Sequence, residues 1–157
     1  MPNVSAIRSL FLSPRRTYRV PDVAAILAIA EADVLGWIDA GELEVLDAPE
    51  GLVVPWAELV SFGMDFWSQD AVEQALGTDA IGLIPELVRL TDLEVRIPRL
   101  QVVTLERLAA IDGKTISAVL ARELEDLVSV HAPWLGEDMP GFAAAFAWPF
   151  ADMDGAG

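Results

Sequence analysis

The chain has no cysteine and a single histidine, His131. The first absence removes disulfides, thiolate metal sites and a thiol nucleophile. The second removes a histidine-built zinc site within one chain. Positive charge is scarce and local. Ten Lys and Arg stand against 25 Asp and Glu, for a net charge of -15. From Val20 to Val88 there is no Lys or Arg at all, whereas Asp22, Glu31, Asp33, Asp39, Glu42, Glu44, Asp47, Glu50, Glu58, Asp65, Asp70, Glu73, Asp79 and Glu86 supply fourteen carboxylates. Long hydrophobic runs are also missing. Leu10-Phe11-Leu12 is too brief for the core of a signal sequence and is followed by arginines. The longest uncharged segment, Met139 to Ala151, has thirteen residues including two prolines, short of the roughly 18–20 that span a bilayer. Cytoplasmic residence is the expectation. No Ser-His-Asp set, glycine-rich phosphate loop or spaced carboxylate pair stands out, so an enzyme, a cofactor and a metal are not expected.

What is present is apolar bulk. Of 157 residues, 54% are hydrophobic, and the mean hydropathy is +0.41. That excludes a disordered chain and exceeds what one small monomer hides, so a second subunit or a partner is expected. Length allows one domain or two very small ones. Charge divides sharply along it: residues 1–19 carry +4, 20–88 carry -14, 89–131 carry -1 and 132–157 carry -4. An isoelectric point near 4.1 disfavours general attraction to nucleic acid or an anionic membrane and suits a basic protein partner. Any anion-binding surface has to be built from Arg8, Arg15, Arg16 and Arg19, or from Arg89, Arg96, Arg99, Arg107, Lys114 and Arg122.

Residues 1–62 read as a first module with a basic N-terminal arm. Thr17 and Pro21 precede a short helix with Val23, Ile26 and Leu27 on one side. After Ala28-Ile29-Ala30, a second short helix carries Val34, Trp37 and Ile38 and ends at Gly41. Leu43, Val45, Leu52 and Val54 then alternate around Pro49-Glu50-Gly51 as a hairpin, and a third helix runs from Pro55 or Trp56 through Phe62. Through Tyr18-x-Val20, Ala24-Ala25-x-Leu27, Val34-x-x-Trp37-Ile38, Gly41-Glu42-Leu43, Pro55 and Leu59, residues 17–62 resemble the excisionase/MerR-like winged helix-turn-helix family, which reads DNA. The resemblance fails at the contact surface. Positions usually basic in that family are here Glu31, Ala32, Gly36 and Asp39, and the wing tip carries Asp47 and Glu50. Such a helix repels phosphates. The module then serves packing or protein contact, or else Arg15, Arg16 and Arg19 supply the DNA contacts.

Residues 63–91 read as connecting helices. Phe66, Trp67, Val72 and Leu76 form one apolar set and Ile81, Ile84, Leu87 and Val88 another, with Thr78 as a cap between them. Gly82 and Pro85 interrupt the second helix, predicting a kink or a new start at Pro85.

Residues 92–131 form the most informative segment. Leu93, Val95 and Ile97 alternate with Glu94 and Arg96 as a short strand closed by Pro98. A helix with Val102, Leu105, Leu108 and Ala109 follows and ends at Gly113. A second helix is capped by Thr115 or Ser117 and carries Ile116, Leu120, Leu124, Leu127 and His131 along one side, His131 reading as a core or cap residue. A lone strand cannot satisfy its own backbone, and the nearest solution is the same strand of a second chain. Through "VRIP", "LERLA", "DGKTIS" and "ARELEDL" the segment resembles the ribbon-helix-helix (Arc/MetJ type) DNA-binding family. That resemblance implies a homodimer joined through Leu93, Val95 and Ile97, with a ribbon in the DNA major groove. Asp92, Glu94 and Arg96 then face outward, while Arg99, Lys114, Thr115 and Ser117 lie near the phosphate-holding start of the second helix.

The tail, 132–157, holds Trp134, Phe142, Phe146, Trp148 and Phe150 among prolines and small residues. It is expected either to pack back on the dimer or to dock into a partner. Asp152 and Asp154 read as a solvated end. The expected architecture is mainly α with small β elements: a winged helix-turn-helix-like module, connecting helices, and a ribbon-helix-helix with an intermolecular β-ribbon. The expected function is a dimeric, antitoxin-like transcriptional regulator that binds DNA through residues 92–117 and a partner protein through the acidic module or tail. An acidic protein-interaction or scaffold dimer without DNA binding is the alternative.

Overall fold

The computed structural model describes residues 2–150. They are mainly helical with one small antiparallel sheet, and they divide into two units. One comprises residues up to Leu90 together with those from Ala144 onward; the other is Thr91–Ala143.

The first unit opens with a helix, α1 (Val4–Leu12), where the sequence reads as a basic arm. Its signal was present: Asn3 accepts a hydrogen bond from the Ala6 N–H as N-cap, and Ile7, Leu10 and Phe11 follow at helical spacing and are buried. Arg8 on this helix closes the C-terminal end of α5 (Gln69–Leu76). Its guanidinium donates to the Ala75 and Leu76 carbonyls at 3.1 and 3.2 Å and pairs with Asp79 at 2.8 Å. A cation on orphan carbonyls at a helix end complements the helix dipole.

β1 (Thr17–Arg19) is a strand where a helix start is expected from Thr17 and Pro21. It pairs with β3 (Gly51–Pro55), which also pairs with β2 (Leu46–Ala48), giving the order β1-β3-β2. The expected hairpin forms, with Pro49 and Glu50 between paired Ala48 and Gly51. It starts later than alternation suggests. The Glu44 N–H donates to the Glu58 carboxylate at 3.0 Å, and Leu43 is buried in the core, so 43–45 are taken from the ladder.

Between β1 and β2 lie α2 (Val20–Leu27) and α3 (Glu31–Asp39), joined by the expected three-residue turn with Ala28 in the left-handed conformation. Past α3, Gly41 has a φ of +74°, which lets the Glu42 N–H reach back to the Trp37 carbonyl at 2.9 Å. α4 (Trp56–Trp67) continues well beyond Phe62 and breaks at Ser68, whose hydroxyl caps α5. Trp56 holds α4 to α1 through its indole N–H on the Leu10 carbonyl at 2.8 Å.

Thr78 sits inside a 3-10 turn (Gly77–Asp79) and caps nothing; α6 (Ala80–Leu83) is short. Pro85 begins a turn, accepting from the Val88 and Arg89 N–H groups. Gln69 and Glu73 hold the next stretch: Gln69 donates to the Val88 carbonyl, and Glu73 accepts from the Leu90 N–H at 2.8 Å. The core of this unit is wholly apolar, with Ile7, Leu10, Val23, Val34, Leu59 and Leu76 among its members. Phe66, Ile81 and Leu87, expected on apolar faces, are exposed.

Within α4, Gly63 lets the Trp67 ring lie against the backbone: a Cβ there would stand 2.8 Å from the ring. Trp67 is buried and has little room to shift. Gly63→Ala is expected to destabilise the first unit by about 1–3 kcal/mol, despite the gain in helix propensity, as read by a lowered urea midpoint at unchanged m-value.

Candidate nucleic-acid interface

Residues 91–98 form no regular element within the chain and are exposed throughout. The expected strand at 93–97 does not form: among the described residues no segment pairs with it. Leu93, Val95 and Ile97 nonetheless remain 75%, 48% and 38% exposed, in alternation with Asp92, Glu94 and Arg96.

Two helices follow. α7 (Arg99–Asp112) ends at Gly113, whose φ of +62° turns the chain so that the Lys114 N–H meets the Ala109 carbonyl at 2.9 Å. α8 (Ile116–Asp138) starts with Thr115 as its N-cap; the hydroxyl accepts from the Ala118 N–H at 3.1 Å. The turn thus gathers Lys114, Thr115 and Ser117, all exposed, at the N-terminus of a 23-residue helix with no acidic residue in its first turn. Outward-pointing amides and the dipole favour an anion there. Arg99 opens α7 and is exposed. Asp112 and Arg122 tie the helices together at 3.0 Å.

Contact between α7 and α8 hides little. Within Thr91–Ala143 only Ala109, Val119 and Phe142 are buried. Leu108, Leu124 and Leu127, expected on a core-facing side, are exposed, as are Leu100, Ile111 and Val130. His131 is also exposed, not a core residue, and accepts the Trp134 indole N–H at 3.2 Å. α8 runs on through Pro133 to Asp138, beyond the expected module end at 131.

Arg15, Arg16 and Arg19 belong to the first unit. The Arg15 guanidinium stacks 4.5 Å from the centre of the Tyr18 ring, and Asp22 accepts from Arg15 at 3.5 Å and from Arg19 at 3.4 Å. Pairs this exposed contribute at most about 1 kcal/mol. They do not hold the arginines against a stronger anion, but Asp22 cancels part of the local charge. Sequence reasoning had no means of identifying Asp22 as their partner.

In the tail, Trp148 packs on the first unit's core and stacks on Phe11 with centroids 6.5 Å apart. Trp134 and Phe150 are exposed. Asp152 and Asp154 fall outside the described residues. No helix among the described residues is long and apolar enough to cross a membrane.

Comparison with protein families, curated proteins and solved structures finds no match to this chain. The reading of the interface thus stands on its own geometry. Because the Thr115 cap holds the turn that presents Lys114 and Ser117, Thr115→Ala is expected to cost about 1 kcal/mol. Hydrogen exchange should show the loss as faster exchange at Ala118.

Proposed function

We propose that the protein is a homodimeric, cytoplasmic DNA-binding transcriptional regulator of antitoxin-like type. In this reading residues 93–97 of two copies pair as an antiparallel ribbon, α7 and α8 of both copies complete a ribbon-helix-helix, and the winged-helix-like first unit or the tail contacts a partner protein. The observation that carries it is the exposed, alternating segment 93–97, without a strand partner among the described residues and placed directly before two helices with exposed apolar faces.

Magnitudes decide how much of this surface must be covered. Fully burying a Leu, Val or Ile contributes about 1.5–3 kcal/mol. Six ribbon side chains that are about half exposed therefore supply on the order of 5–9 kcal/mol. Association costs about 4–15 kcal/mol. The ribbon alone clears only the lower part of that range, and burial of Leu100, Leu108, Ile111 and Leu124 would supply the margin.

DNA contact is less opposed by charge here than in the first unit: across residues 92–117 Arg96, Arg99, Arg107 and Lys114 balance Asp92, Glu94, Glu106 and Asp112, whereas Val20 to Val88 offers only carboxylates. Arg96 suits a bidentate contact to guanine, and Lys114 with Thr115 and Ser117 suits a phosphate. The second reading, an acidic interaction dimer without DNA binding, draws on the net charge of -15 and on the Glu31 and Asp39 carboxylates that flank the exposed face of α3.

Val95→Asp places a charge in the ribbon and is expected to give a monomer by sedimentation equilibrium; a persisting dimer would reject the ribbon. With duplex DNA from the protein's own promoter region, Arg96→Ala should weaken specific binding by about 1–3 kcal/mol. Lys114→Ala should weaken all sequences alike and lower the salt slope by about one unit. Wild-type dimer that shows no salt-dependent binding would favour the second reading.

A further inference from the structure

An open groove of about 350 Å³ crosses the first unit between the start of α2, α3 and β3, lined by Arg19, Val20, Pro21, Leu35, Glu50 and Leu52. Leu35 and Leu52 are 43% and 38% exposed there, although they come from different elements and the core beneath is already complete without them. The volume lies at the small end of ligand clefts, about 300–1,000 Å³. Being open, it suits side chains projecting from a partner better than an enclosed small molecule.

The rim chooses the partner. On α3, Glu31 and Asp39 stand one turn either side of Leu35 and share its face. Asp47 lies directly across the ladder from Leu52, and Glu50 is at the hairpin tip. The one cation among the lining residues, Arg19, pairs loosely with Asp22 at 3.4 Å, which offsets part of its charge. Phosphates are repelled from such a surface, whereas Lys and Arg are drawn to it.

We infer that this groove is a docking site for a segment of another protein in which apolar side chains are flanked by Lys or Arg. The apolar residues sit on Leu35, Leu52, Val20 and Pro21, and the flanking cations meet Glu31, Asp39, Asp47 and Glu50. This rests on the proposed division of roles, in which the first unit contacts protein and the second contacts DNA.

The test is selection from a displayed library of random dodecapeptides on the full-length protein, followed by titration of the enriched peptides. Leu35→Ser combined with Leu52→Ser keeps every charge and alters only exposed side chains, so the fold is expected to be unchanged by circular dichroism and thermal unfolding. Enriched peptides should combine apolar residues with Lys or Arg and lose about tenfold or more in affinity on this double variant, about 1.4 kcal/mol. Glu31→Gln with Asp39→Asn should weaken them and flatten their salt dependence. No enrichment, peptides lacking either chemistry, or peptides indifferent to the Leu35/Leu52 variant overturn the groove as a docking site. The same proteins are titrated with duplex DNA. DNA binding that depends on Leu35 and Leu52 overturns the division of roles as well, while DNA binding that depends on Arg96 leaves that division standing even if no peptide is found.

Discussion

Apolar surface that the Thr91–Ala143 unit cannot cover by itself is the constraint on which the rest turns. Two helices packed side by side bury only a strip each, and here that strip amounts to Ala109 and Val119, with Phe142 added from the tail. A segment of this size is marginal even with a good core. The extended run before α7 adds backbone N–H and C=O groups that have no ladder in their own chain. One arrangement answers both deficits: a second copy supplies strand to strand and helix to helix. The dimer is therefore proposed from an unmet requirement for burial and hydrogen bonding, and the DNA-binding role is proposed from the cations that this arrangement would bring to one surface.

The first unit has the opposite character. Its core is finished, with α1 closing over α5 and α4, and no buried charged group within it. The fourteen carboxylates of Val20–Val88 are therefore a surface property. Three of its cations have partners nearby: Arg8 at the end of α5, and Arg15 and Arg19 at Asp22. The exposed face of α3 carries Glu31, Leu35 and Asp39, a charge that opposes the DNA contact expected of a winged helix-turn-helix. Electrostatics decides here, because phosphate neutralisation supplies nearly all non-specific DNA affinity.

The elements legible in the sequence were those whose causes are local. Gly113 and Thr115 mark the end of α7 and the start of α8, Gly41 follows α3, and Pro49 with Glu50 forms the hairpin turn. In each case the backbone angle or capping hydroxyl acts within a few residues. The helical spacing of Ile7, Leu10 and Phe11 behind Asn3 is equally local, so α1 stands where the charge pattern alone predicts a basic arm. The break at Ser68 and the passage of α8 through Pro133 were not legible, since both run against intrinsic preference.

By itself the sequence determined the division of charge, the mainly helical composition, the absence of thiol chemistry, the position of α7 and the start of α8. Only the tertiary structure decided that β1 becomes a third strand on β3, that Leu43 leaves the hairpin for the core while Glu44 turns to Glu58, and that Asp22 gathers Arg15 and Arg19. It also decided that 93–97 finds no ladder in its own chain. The reason is physical: caps and turns are set by neighbours along the chain, whereas strand partners, ion pairs and exposed apolar faces depend on which distant surfaces remain uncovered once the core has closed.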